Sequence, residues 1–120
     1  MAELDMSRYV GRSRPLLVFA PRPDDPRSVK QRHAFQGPLP EAGLADRQIV
    51  VIETFADGDR PEAGAAFGVG VGDFAVVLFG KDGGEKHRWS EPVSAQEIFG
   101  KVDAMPMRQR EVADKHALPG

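Results

Sequence analysis

Three short apolar runs divide the chain, and turn-forming or charged residues bound each of them. They lie within residues 15–20, 48–55 and 74–79, and their centres read LLVF, IVVI and VVLF. Runs of this length, rich in branched and aromatic side chains, are typical of strands that are buried on both faces. The pattern therefore predicts three buried strands, and the third is expected to lie at the centre of a sheet.

The third run continues into a predicted β-hairpin. Residues 80–84 read GKDGG, and a largely polar strand is predicted over residues 85–89. Asp-Gly at the centre of this segment is typical of a two-residue type I′ turn, in which both central residues need positive φ. A polar second strand suits the edge of a sheet, where charge discourages pairing with other chains. The expected cross-strand pairs are Val76–Trp89, Val77–Arg88 and Phe79–Lys86.

Three further segments are predicted to be helical. An acidic N-cap followed by proline begins the helix predicted over residues 26–36. The alanine-rich residues 61–67 predict two helical turns. A serine capping box begins the helix predicted over residues 94–105, which carries apolar residues at helical spacing. Residues 39–46 are expected to form a loop or a short turn.

The order of these elements, β-α-β-α-β-β-α, predicts an α/β fold. Parallel crossovers come first and the hairpin last, which gives a four-stranded mixed sheet with helices on both faces. We expect an N-terminal arm over residues 1–14, one domain over residues 15–107, and a charged tail over residues 108–120 that frays.

Composition excludes several classes of function. The chain has 120 residues, a net charge of −2 and no cysteine. Without cysteine it has no disulfide, no thiol catalysis and no thiolate metal site. The balanced charge argues against nucleic-acid binding. No signal peptide or membrane-spanning run is visible, so a cytoplasmic location is the default expectation, with a periplasmic or secreted location if a leader was removed.

The segment order and lengths resemble the thioredoxin fold. Residues 66–69, which precede the central strand, are similar to the segment that leads into the third core strand of a thioredoxin. Two departures stand out: the loop 21–25 lacks the two cysteines of that family, and Gly72-Asp73 stands near its cis-proline. Thiol–disulfide exchange needs both sulfurs, so the resemblance extends to the fold without that chemistry.

A closer resemblance covers nearly the whole chain. The segments that carry it are residues 14–21, 46–51, 80–84 with Lys86 and Arg88, and 103–108. GKDGG and DAMPMR are its most specific parts. These segments resemble a domain of unknown function found in small bacterial proteins and in animal sushi-repeat-containing extracellular proteins. The resemblance implies a thioredoxin-like, peroxiredoxin-related fold and no established activity; in the animal proteins it implies an association with adhesion and extracellular matrix.

Basic side chains surround the predicted hairpin turn. Lys81, Lys86 and Arg88, with Asp82 between them, are candidates to hold an anion such as a phosphate or an acidic partner surface. The alternative interpretation is an ordinary edge strand whose charges face water.

Charged residues also flank the Met-Pro-Met break near the end of the chain. Asp103, Arg108, Arg110 and Glu111 are candidates for a recognition surface. The structural alternative has Met105 and Met107 packing the helix end, with Asp103 pairing an arginine. The thioredoxin-like order of elements and the absence of cysteine lead to our first hypothesis, a non-redox module that binds an unknown protein partner. Its expected binding surface is the hairpin edge together with the Met-Pro-Met-Arg segment.

A second hypothesis places an enzyme or small-ligand site at the loop 21–25. Arg22, Asp24, Asp25 and Asp73 lie where the thioredoxin fold usually binds substrates. Such a site needs a cavity and a strongly perturbed carboxylate. The alternative is helix capping by Asp25 with Asp24 exposed. A third hypothesis is anion binding through the basic hairpin edge. The three histidines share no ligand spacing, and we predict no metal and no cofactor.

Overall fold

A four-stranded mixed sheet forms the centre of the protein. The computed structural model describes residues 6–58 and 63–116, with side chains described through residue 113. The sheet order is β2-β1-β3-β4; β1 runs parallel to β2 and antiparallel to β3, and β4 is antiparallel to β3. The predicted mixed sheet, with the third strand inside and the fourth at the edge, is confirmed. The prediction of a second parallel crossover is wrong, because β3 lies next to β1 and runs antiparallel to it. The strands are β1 (Arg14–Ala20), β2 (Ile49–Phe55), β3 (Ala75–Phe79) and β4 (Glu85–Trp89).

In the described part of the chain, four α-helices connect and follow the strands. Among the described residues no helix is long and apolar enough to cross a membrane. The alanine-rich segment predicted to be helical forms a 3₁₀ helix over Ala63–Phe67, and another 3₁₀ helix covers Met6–Tyr9. The α-helices are α1 (Pro26–Ala34), α2 (Pro38–Asp46), α3 (Ala95–Asp103) and α4 (Pro106–His116).

Two of these helices differ from the sequence-based expectation. The prediction of a loop or a short turn over residues 39–46 is wrong, since these residues belong to α2, which begins at Pro38. At the start of this helix, the Glu41 carboxylate accepts a hydrogen bond from the Gly37 N–H at 2.9 Å. That contact satisfies a free amide at the helix start, which otherwise has no side-chain cap. The expectation that the tail frays is wrong through residue 116, because α4 occupies that segment.

The sheet buries apolar side chains on both faces. On one face the even-numbered residues of β1 and β3 pack against α2 and α3, and on the other their odd-numbered neighbours pack against the two 3₁₀ helices. Every residue of β1 and β3 is buried, as predicted for strands covered on both sides. The prediction that β2 is fully buried is wrong: it forms the second edge, and Val50 is 37% exposed.

The hairpin turn is wider than a type I′ turn. Gly83 donates its N–H to the Gly80 carbonyl at 3.1 Å, and Gly83 is the one turn residue with positive φ, at 86°. This is a type I turn followed by a left-handed glycine, a combination that leaves a bulge. Two predicted cross-strand pairs are confirmed, while the third is wrong, because Phe79 pairs with Glu85 instead of Lys86.

A buried amide positions the start of α3. Gln31 of α1 is 1% exposed, and its side chain donates to the Val93 carbonyl and accepts from the Val93 N–H, both at 2.8 Å. The Ser94 hydroxyl then accepts from the Glu97 N–H at 3.2 Å, which confirms one half of the predicted capping box. The Glu97 carboxylate accepts from the Trp89 indole N–H instead of reaching back to Ser94. The contacts of Gln31 and Ser94 set where α3 begins.

Candidate functional site

The exposed cations of the hairpin strand are paired with neighbouring carboxylates. Lys86 lies 2.8 Å from Asp82, and Arg88 lies 2.8 Å from Glu85. The hydrogen bond from Lys86 lowers the pKa of Asp82, and the hydrogen bond from Arg88 lowers the pKa of Glu85. Arg88 also donates to the backbone of the 3₁₀ helix at Phe67. The strand therefore carries compensated charge, which favours the edge-strand interpretation of Arg88 and Glu85.

Lys81, the first cation of the turn, points inward. Its side chain is 9% exposed, and its ammonium donates to the Glu111 carboxylate of α4 at 2.6 Å. A second hydrogen bond goes to the side-chain oxygen of Gln48, which has a left-handed backbone φ of 54°. Lys81 thus joins the hairpin turn to α4 and to the residue preceding β2.

Glu111 also pairs with the first residue of β1. The two terminal nitrogens of Arg14 lie 3.2 and 3.0 Å from the Glu111 carboxylate oxygens, and Arg14 donates at 2.7 Å to the carbonyl of Arg47. Burial alone would raise the pKa of Glu111, but the hydrogen bonds from Arg14 and Lys81 outweigh it and hold the pKa below its ordinary value. The charged carboxylate of Glu111 therefore pairs with two buried cations, Arg14 and Lys81.

A second ion cluster connects α2, α3 and α4. Arg108 is buried and lies 2.6 Å from Asp46 and 3.4 Å from Asp103, and Arg47 forms a two-armed pair with Asp103 at 2.9 Å. The hydrogen bond from Arg47 is the main cause of the lowered pKa of Asp103. The interpretation that Asp103 pairs an arginine is confirmed. Asp103 and Arg108 hold the helices together.

A groove separates the hairpin turn from the junction of α3 and α4. Its volume is about 520 Å³. Three of the predicted binding residues line it, Lys81, Asp82 and Lys86, whereas Arg88, Asp103 and Arg108 are outside its lining. Residues 80–82 and Lys86 of the hairpin form one wall, and the end of α3 with the start of α4 forms the other. The lining residues are Arg14, Gly80, Lys81, Asp82, Lys86, Lys101, Ala104, Met105, Pro106, Met107 and Arg110.

The helical wall carries two cations, Lys101 and Arg110, of which the sequence singled out only Arg110 as part of a site. Lys101 and Arg110 are exposed and form no ion pair with the side chains that the structure describes. Met105 packs against the core, as predicted, but Met107 is 41% exposed in the groove, so the expected packing of Met107 is wrong. A clue was present in the sequence: DAMPMR carries both methionines and is one of the two specific segments of the resemblance.

The residues of the loop 21–25 are occupied by local contacts. Asp25 caps α1, accepting from the Arg27 N–H at 2.9 Å, and hydrogen bonds from the Arg27 side chain contribute most to lowering the Asp25 pKa to about 2. Capping by Asp25 is confirmed. Arg22 and Asp24 form an exposed pair at 2.8 Å. These contacts account for the charged groups of the loop without an acid–base site.

Asp73, the fourth residue of that second hypothesis, lies beside a small cavity. Its carboxylate accepts from the Gly70 N–H at 3.0 Å. The cavity that it lines has a volume of about 20 Å³, and neither Asp24 nor Asp25 lines it. That volume holds about one water molecule. Within the described part of the chain, no group of three or more His, Asp or Glu residues is arranged to hold a metal ion.

Comparison with family models identifies the chain. The model described as Domain of unknown function (DUF4174) matches residues 5–111. The chain belongs to this family. No curated protein matches the DUF4174 chain. The predicted link to animal sushi-repeat proteins stays a prediction.

Solved structures share the fold of this DUF4174 domain. The thioredoxin peroxidase I of Plasmodium yoelii superposes with a TM-score of 0.63 at 15% identity, covering 95% of this chain and 82% of that chain. The reduced desulfothioredoxin of Desulfovibrio vulgaris Hildenborough superposes with a TM-score of 0.59 at 17% identity, covering 85% of this chain and 90% of that chain. The 2-Cys peroxiredoxin of Plasmodium vivax superposes with a TM-score of 0.56 at 15% identity, covering 87% of this chain and 83% of that chain. The predicted thioredoxin-like α/β fold is confirmed; at these identities the likeness shows the fold alone.

Proposed function

We propose that this DUF4174 domain is a non-redox binding module, and that its binding site is the groove between the hairpin turn and the α3–α4 junction. The observation that carries the proposal is the meeting of two segments: residues 80–82 of GKDGG and residues 104–107 of DAMPMR line the same groove. A volume of about 520 Å³ lies in the range of small-molecule and side-chain binding pockets.

Chemistry supports binding over catalysis. The thiol reactions associated with this fold need a cysteine, and the sequence contains none. The lowered pKa values of Asp82 and Glu111 keep both carboxylates ionised near neutral pH, which does not suit a general acid. The described groove residues thus offer charge, hydrogen bonds and apolar surface, the means of recognition.

The groove is also held in shape before any partner arrives. On one wall, Lys81 is fixed by Glu111, and Lys86 by Asp82. On the other, Arg108 anchors the first turns of α4 to Asp46. A preformed groove loses little conformational entropy on binding, so a modest contact area can give measurable affinity.

Site-specific photocrosslinking tests this proposal. A photoreactive amino acid at Met107, exposed in the groove, is compared with the same amino acid at Leu39, which is 86% exposed on α2. We expect the Met107 position to capture a discrete partner in cells that express the protein naturally, and excess unmodified protein to compete with capture. Equal adducts from both positions, or none from Met107, would remove the groove as the binding site.

A further inference from the structure

The two walls of the groove differ in their charge balance. On the hairpin wall, each cation has a carboxylate partner: Lys81 pairs with Glu111, and Lys86 pairs with Asp82. A ligand carboxylate would have to compete with these ion pairs. The cations of the hairpin wall are therefore already engaged, and Asp82, whose side chain is 55% exposed, repels an incoming anion.

The helical wall leaves two cations without a described partner. Lys101 lies one turn after Glu97 on α3, a spacing that favours a salt bridge. Glu97 instead accepts a hydrogen bond from the indole N–H of Trp89, at the end of the edge strand. Arg110, on the second turn of α4, has no carboxylate within pairing distance among the described side chains. Both cations line the same groove, and no carboxylate among the described side chains competes with a ligand for them.

Apolar surface lies beside these cations. Ala104, Met105, Pro106 and Met107 line the groove between Lys101 and Arg110 in the sequence. Methionine side chains adapt to differently shaped apolar partners because they are unbranched and polarizable. An anion alone would leave this surface exposed to water.

We propose that the groove recognises a short acidic segment of a partner protein, in which a carboxylate pairs with Lys101 and Arg110 and a neighbouring apolar side chain covers Met105 and Met107. This inference rests on the proposed function and adds the class of ligand. Its orientation follows from charge: the acidic group faces the helical wall, away from Asp82. The groove, at about 520 Å³, also exceeds what a small inorganic anion fills.

Selection from a random-peptide display library, with the intact protein as bait, tests the ligand class. We expect enriched peptides to carry Asp or Glu next to a large apolar residue. A selected peptide should shift amide NMR signals of Lys81, Met105 and Met107. Replacing its acidic residue with the matching amide, or its apolar residue with serine, should each weaken binding about tenfold.

Charge-reversed proteins complete the test. Lys101→Glu with Arg110→Glu should weaken binding of the selected peptide about tenfold or more, whereas Lys30→Glu, an exposed cation on α1, should leave it unchanged. Thermal unfolding of each variant checks that the fold is kept. Inorganic phosphate, used as a second probe, should neither produce the same signal shifts nor displace the peptide.

The outcomes separate this inference from the proposed function. Peptides that bind the groove without acidic residues, binding that is insensitive to the double reversal, or displacement by phosphate would overturn the acidic-segment proposal and leave a binding groove. Failure to enrich any peptide that shifts groove signals, together with no crosslink from Met107, would overturn both.

Discussion

Arg14 and Glu111 are 97 positions apart in the sequence, and their side chains form a two-armed ion pair with distances of 3.2 and 3.0 Å. Arg14 is fully buried at the start of β1, and Glu111 lies on α4 with its second contact to Lys81. The pair therefore joins the first strand of the sheet to the last helix, and it fixes the back of the groove.

Replacing Glu111 should destabilise the protein strongly. Glu111→Gln keeps the size of the side chain but leaves the buried charges of Arg14 and Lys81 without a counter-ion. Removing one partner of a fully buried pair costs about 3–5 kcal/mol; since Glu111 is 26% exposed, we expect about 2 kcal/mol. Urea unfolding measures the loss. Glu91→Gln, at an exposed position, should cost less than about 0.5 kcal/mol, and an equal loss in both variants would contradict the role of Glu111.

The same carboxylate predicts how stability depends on pH. The pKa of Glu111 is lower in the folded protein than its ordinary value of 4.5, so the unfolded chain binds more protons. Its contribution is complete above pH 4.5 and is lost as the pH falls towards the folded-state pKa. Asp103 and Asp25, with lowered pKa values, act in the same direction. Unfolding midpoints in urea, measured across the acidic range, should fall less steeply for Glu111→Gln than for the wild type or Glu91→Gln.

Local sequence patterns were sufficient to predict the sheet. The three apolar runs and the GKDGG turn determine strand positions through burial and turn chemistry, which act over a few residues. Even there the type I′ turn was wrong, because Asp82 keeps negative φ and its side chain accepts from the Gly84 N–H at 2.9 Å. The side-chain caps supplied by Asp25 and Ser94 were also predicted correctly, since donor and acceptor of each contact lie within one turn of helix.

The groove could not be predicted in the same way. It depends on α4, whose sequence is charged and has little apolar periodicity, so its pattern favoured a frayed tail. What holds α4 is a set of ion pairs from Arg108 and Glu111 to residues far away in the sequence, among them Asp46 and Arg14. Such contacts are specified only once the sheet has brought the partners together. For the same reason, the Lys81 side chain was expected to be exposed to solvent, whereas it is only 9% exposed.

A buried amide supplies a third prediction. Gln31→Ala would leave the N–H and carbonyl of Val93 without partners and would open a cavity beneath α3. Each unsatisfied buried group costs about 1–3 kcal/mol, so we expect a loss of about 2–4 kcal/mol in the free energy of unfolding. The matched change Gln96→Ala, on the exposed face of α3, should alter it by less than about 0.5 kcal/mol. A loss below about 1 kcal/mol for Gln31→Ala would show that water replaces the amide.

Two helical glycines should respond in opposite directions to the same substitution. Alanine is favoured over glycine inside a helix by about 1 kcal/mol. At Gly100 of α3, an added Cβ meets no atom within 4 Å, so Gly100→Ala should stabilise the protein by about that amount. At Gly43 of α2, the Cβ would lie 2.4 Å from the ring of Phe99, which also stacks against the Arg47 guanidinium at 4.2 Å. Overpacking of this kind costs about 1–3 kcal/mol, so Gly43→Ala should destabilise the protein despite its better helix propensity.

Thermal and urea unfolding of both variants measure the difference. A stabilising Gly43→Ala would mean that α2 does not pack closely on α3, and that the helical wall of the groove is held by the ion pairs of Arg47 and Arg108 alone.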